Sequence, residues 1–173
     1  LRMVVSTTVF LTAIAWARRA ARRGVAVSRI FYTDTPMTPG DRWLLVGCGI
    51  VGHFIYQSCF VAGVAATSVS NSALIVGATP VVVAIASAAL GHERIGRLHW
   101  LGAATSAFGI YLVVGHGAAL GGADLKGDLL VIASVACWAT YSLGAARLIQ
   151  RHSPLYVTGM TFAIGCGPYV LAT

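Results

Sequence analysis

Charge is what this sequence has least of. Only 10% of its 173 residues are Asp, Glu, Lys or Arg, and only five of those are acidic. A soluble domain carries about 25%. With 57% hydrophobic residues and a mean hydropathy of +0.80, a water-soluble globule could not cover its surface with polar groups. The same composition excludes intrinsic disorder, which needs low hydrophobicity and high net charge. An integral membrane protein remains. The net charge of +7 does not indicate a nucleic-acid binder, because the arginines fall between apolar runs.

Enzyme chemistry is equally thin. The carboxylates Asp34, Asp41, Glu93, Asp124 and Asp128 all lie outside the apolar runs. There is no GxSxG, no HExxH and no phosphate-binding loop, so no catalytic residue, cofactor or metal is expected. Gly47, Gly49 and Gly52 open like a nucleotide loop but sit inside an apolar run. The four cysteines, Cys48, Cys59, Cys137 and Cys166, form no CxxC pair, and we read them as small packing residues. No cleavage site follows the opening apolar run, so a signal peptide is not expected.

What the chain does have is apolar runs. Six are visible: about Val4 to Ala17, Trp43 to Ala65, about Ser70 to Leu90, Leu98 to Gly115, Leu129 to Ile149 and Leu155 to Thr173. A spanning helix needs about 20 residues and a barrel strand about ten. None of the runs alternates polar and apolar, so all six are expected to be helices. The stretch from Arg18 to Arg42, with Pro36, Pro39 and Gly40, reads as a surface loop.

Positive charge orients the runs. Arg18, Arg19, Arg22, Arg23, Arg29, Arg42, Arg94, Arg97, Arg147 and Arg151 fall on alternate connections. Only Arg2 and Lys126 fall on the others. The positive-inside rule puts the Arg-rich connections in the cytoplasm.

Polar groups inside the runs mark candidate sites. At 100° per residue, His53, Tyr56, Gln57 and Phe60 share one face of the second run, flanked by Gly49 and Gly52. Ser134, Trp138, Tyr141 and Ser142 share a face of the fifth. Such stripes must face a partner helix or a water-filled cavity. We expect the two to line one aqueous path, with Asn71 near the start of the third run as a further candidate. The opposite face of the fifth run, Ala133, Ala136, Thr140 and Gly144, is a small-residue ridge suited to close helix packing. Pro80 and Pro168 are expected to kink or hinge their helices.

Several strings are similar to a known family. Thr67-Ser68-Val69-Ser70-Asn71-Ser72-Ala73-Leu74-Ile75, Thr79-Pro80-Val81, Gly91-His92-Glu93-Arg94-Ile95, Trp100-Leu101-Gly102 and Gly109-Ile110-Tyr111-Leu112-Val113 resemble the first EamA-type domain of the drug/metabolite transporter superfamily. Gly127-Asp128-Leu129-Leu130, Cys137-Trp138-Ala139-Thr140-Tyr141, Arg147 and Ser153-Pro154 resemble the start of its second. The resemblance implies an all-α bundle of ten helices in two inverted repeats, around a central cavity for amino acids, metabolites, nucleotide sugars or drugs. Residues 1–115 would then be most of the first repeat, 116–128 an external linker and 129–173 the start of the second. Helix one and helices eight to ten are expected to be missing. The family's Glu-Arg pair maps to Glu93 and Arg94, read as a structural cytoplasmic turn.

The expected function is export of a small metabolite across the cytoplasmic membrane by alternating access. The expected partners are the bilayer and a small-molecule substrate, not nucleic acid. The rival is a membrane-embedded enzyme acting on a lipid, with His53 as base.

Overall fold

A computed structural model describes residues 2–89, 96–114 and 125–172. It is all-helical, with no strand among the described residues. The helices are α1 (Arg2–Arg22), α2 (Pro39–Gly49), a π-helical segment (Ile50–Ile55), α3 (Tyr56–Ala66), α4 (Val69–Gly77), α5 (Thr79–Ala89), α6 (Arg97–Val114), α7 (Leu125–Ile149) and α8 (Pro154–Ala172). They make six helical stretches at the positions of the six apolar runs. Three of these, Pro39–Ala66, Val69–Ala89 and Leu125–Ile149, are long and apolar enough to cross a membrane.

The loop expected from Arg18 to Arg42 is shorter in the structure. α1 continues to Arg22, and α2 begins at Pro39. A capping box accounts for the early start. The Thr38 hydroxyl accepts from the Asp41 N–H at 3.2 Å, the Asp41 carboxylate accepts from the Thr38 N–H at 3.3 Å, and Pro39 follows the cap. Proline suits that first helical position because its missing N–H would have no helical partner there.

The third stretch is interrupted at a single residue, where the sequence places a kink. α4 stops at Gly77, Ala78 caps it, and α5 starts at Thr79. Pro80 has no N–H to give the carbonyl of Val76 four residues back. The Thr79 hydroxyl donates to that carbonyl instead, at 2.5 Å. Val81 and Val82 both donate to the Ala78 carbonyl, restarting the helix. α8, in contrast, runs through Pro168 without interruption. Glu93 and Arg94, read as a cytoplasmic turn, lie outside the described residues.

The contacts divide the chain into two units: Leu1–Phe54 with Tyr141–Thr173, and Ile55–Thr140. In the first, α8 packs on α1 and α2. Its core holds Leu45, Cys48, Tyr141, Ala145, Leu148 and Val157. The loop after α1 docks on the turn between α7 and α8: Arg29 donates to the Gln150 carbonyl, Leu155 N–H donates to the Ile30 carbonyl, and His152 Nε2 lies 3.3 Å from Asp41 Oδ2. In the second unit, α4 packs on α6. The start of α7 meets the turn between α3 and α4 so closely that a side chain on Gly127 would collide with the backbone of Ala66 and Thr67.

Candidate functional site

Two groups of the singled-out residues come together, one in each unit. In the second unit, Tyr56, Ser134 and Trp138 line a pocket of about 430 Å³. Its other walls are Val76, Gly77, Thr79, Pro80 and Val135, so it lies against the helix break. Trp138 is tilted against Tyr56, ring centroids 5.3 Å apart, and Tyr56 stacks on Phe60 at 5.8 Å. Ser134 is fully buried, and its hydroxyl donates to the Val131 carbonyl one turn back. That self-satisfied hydroxyl needs no partner across the helix, yet its oxygen still has acceptor capacity towards the pocket. Aromatic faces beside hydroxyls suit a small molecule with apolar and polar parts.

In the first unit, His53 is 5% exposed. Its Nε2 is 3.3 Å from the Thr161 hydroxyl, its ring stacks on Phe162 at 4.1 Å, and Tyr141 meets it edge-on at 5.0 Å. Thr161 and Phe162 were not singled out by sequence. Their signal was a polar residue, Thr161, four before Gly165 in an apolar run. The imidazole is therefore held inside a packed aromatic and hydroxyl cluster.

The π-helical segment changes the sequence reading of the His53 and Tyr56 stripe. A π turn takes an extra residue, so everything after it is turned back by about 100° relative to an ideal α-helix. His53 lies inside this segment and Tyr56 begins α3 just past it. The ring partners differ accordingly: Phe162 and Tyr141 for His53, Phe60 and Trp138 for Tyr56. Gln57 is half-buried and is not among the residues lining the 430 Å³ pocket.

Asn71 stands apart from both groups. It is buried, its Nδ2 donates to Asp128 Oδ2 at 3.3 Å, and the Thr67 hydroxyl donates to the other carboxylate oxygen. Ser68 caps α4 by accepting from the Asn71 N–H at 3.1 Å. This clasp ties the first turn of α7 to the capped start of α4. The small-residue ridge on α7 is corrected as well. Ala136 and Thr140 are exposed, and the Thr140 hydroxyl bonds back to the Ala136 carbonyl. The tight approach expected of that ridge is seen at Gly144, whose missing side chain makes room for the Cys48 sulfur.

Relatives give this geometry its setting. Residues 1–115, more than half of the chain, match the EamA-like transporter family. The chain is 31% identical over 120 residues to the uncharacterized transporter YyaM of Bacillus subtilis (strain 168), covering 68% of this chain and 39% of that protein. It is 32% identical over 113 residues to the inner membrane protein YtfF of Escherichia coli (strain K12), covering 60% and 35%. It is 27% identical over 134 residues to the uncharacterized transporter YetK of Bacillus subtilis, covering 75% and 40%. Each match thus spans 40% of the relative's length or less. No solved structure matches the chain. Apolar helices with polar and aromatic pockets between them, and a family match over the first four helical stretches, lead to one assignment: this is a multi-pass membrane protein that belongs to the EamA-like transporter family.

Proposed function

We propose that the protein exports a small metabolite, amino-acid-like in combining apolar and polar parts, across the cytoplasmic membrane by alternating access. The observation that carries this reading is the pocket of Tyr56, Ser134 and Trp138 against the break at Thr79 and Pro80. Broken helices beside a cavity are how transporters expose backbone polarity to a substrate in mid-membrane. In this reading residues 1–115 form most of one five-helix repeat, 116–128 an external linker, and 129–173 the start of an inverted second repeat. The Arg-rich connections face the cytoplasm. Supporting that orientation, the loop carrying Arg29 bonds to the α7–α8 turn, as alternate connections on one side require.

The lipid-enzyme reading has no observation in its favour. Its proposed base, His53, is enclosed by Phe162, Tyr141 and Thr161, with no carboxylate bonded to it among the described residues. The test is efflux from proteoliposomes holding the full-length protein, run against a panel of amino acids and related metabolites. Tyr56→Ala and Trp138→Ala should each lower flux per folded molecule several-fold, since an aromatic contact contributes about 0.5–1.5 kcal/mol beyond its buried area. If both variants keep the parent's flux per folded molecule, the pocket is not on the substrate path.

A further inference from the structure

A second cavity, of about 630 Å³, lies in the first unit, between the loop after α1 and the α7–α8 turn. Its charged lining is unbalanced. Arg18, Arg22 and Arg42 all face it, against one carboxylate, Asp34. That carboxylate accepts a hydrogen bond from the Tyr32 hydroxyl at 3.1 Å, which holds the Tyr32 phenol above its usual range. His152, also in the wall, is paired with Asp41. Among the described residues, no carboxylate comes within 4.0 Å of any of the three guanidiniums.

Two further features shape the cavity. The Arg18 guanidinium sits over the Tyr156 ring, 5.1 Å from its centroid, which fixes its position at the wall. The Thr33 hydroxyl is buried with no hydrogen-bond partner among the described residues, and Thr33 lines the same cavity. Arg18, Arg22 and Arg42 are each exposed, so solvent screens their mutual repulsion, but a concave wall carrying three of them focuses a positive potential that favours an anion. Guanidinium forks fit phosphate and carboxylate oxygens in a paired geometry that water does not reproduce.

We propose that this cavity binds an oxyanion of phosphate type, held by Arg18, Arg22 and Arg42. Two sources share that chemistry: the headgroup of an anionic phospholipid and a free phosphate from solution. Basic pockets at the cytoplasmic ends of helices are placed for the first, and a pocket open to solvent admits the second.

The experiment uses the full-length protein in nanodiscs. One arm compares discs of phosphatidylcholine with discs of mixed phosphatidylcholine and phosphatidylglycerol, and counts retained phosphatidylglycerol by native mass spectrometry. The other arm titrates inorganic phosphate into the phosphatidylcholine discs and follows thermal stability. Arg18→Gln, Arg22→Gln and Arg42→Gln should each weaken binding about fivefold in whichever arm binds. Arg42→Lys should retain part of it, which guards against simple misfolding. Arg19→Gln and Arg23→Gln alter exposed arginines outside the cavity wall and measure diffuse attraction to the surface. Retained phosphatidylglycerol with this pattern assigns a lipid headgroup; phosphate-dependent stabilisation with this pattern assigns a soluble anion. Equal losses from Arg23→Gln and Arg42→Gln, or no binding in either arm, would overturn the proposal.

Discussion

Gly52→Ala is the sharpest probe of the helix crossing at the π-helical segment. A methyl group at Gly52 would lie 2.5 Å from Cδ2 and Cγ of Tyr141 and 2.7 Å from its Cβ. The Cβ is fixed by the backbone, so no rotamer change clears it, and moving Cγ and Cδ2 would require the whole ring to swing about χ1. The Tyr141 ring is itself buried at 9% exposure and packed edge-on to His53. Relief therefore requires the two helices to separate, an overpacking cost of about 1–3 kcal/mol. Replacing a mid-helix glycine also gains about 0.5–1 kcal/mol of helix propensity. Gly47→Ala isolates that gain, because a methyl there meets nothing within 4 Å. The two variants should then differ by the overpacking term alone, about 1–3 kcal/mol. The assay is the fraction of full-length protein remaining monodisperse in detergent after graded heating. Tyr141→Ala in the same chain should remove only the part of the difference that comes from Cγ and Cδ2, since the retained Cβ still lies 2.7 Å away. If Gly52→Ala is as stable as Gly47→Ala, the close contact described here does not exist in the folded protein.

Three further outcomes are expected. Thr79→Val deletes the hydroxyl that satisfies the Val76 carbonyl and should destabilise the protein by about 1 kcal/mol in the same heating assay; no loss would mean that water or another donor serves that carbonyl. Thr38→Ala removes the cap of α2 and should also cost about 1 kcal/mol, while Thr38→Ser should cost little; equal losses for the two would refute the capping role. A lone cysteine at position 35, on a background without the four native ones, should react with an impermeant maleimide only in inverted vesicles, and labelling of intact cells would reverse the topology.

The six helical stretches were legible because apolar runs of helix length dominate the chain, and little besides a helix satisfies the backbone in lipid. Their ends were less so. Thr38-Pro39-Gly40-Asp41 carries a capping-box pattern, yet its proline and glycine also read as a turn, and the cap won because Asp41 closes it. The break at Ala78 was half-visible: Pro80 announces a lost hydrogen bond, but the chain's answer, the Thr79 hydroxyl, depends on local geometry. The His53 surroundings were hidden, since Thr161 and Phe162 lie over a hundred residues away in sequence. The π-helical segment was invisible to a 100° periodicity, which assumes the regularity that the segment abolishes. The Arg-lined cavity was hidden too. In the sequence Arg18, Arg22 and Arg42 mark orientation, and only the folded loop brings them round one space.

The interruption of Val69–Ala89 at Ala78 puts Gly77, Thr79 and Pro80 in the wall of the 430 Å³ pocket. The polarity that pocket can offer is that of hydroxyls, an indole N–H and backbone. Among the described residues of its wall there is no carboxylate, histidine, lysine or arginine. A small molecule seated there would meet groups whose charge does not vary across the physiological pH range. Any pH dependence of transport would then have to come from the substrate or from elsewhere in the protein.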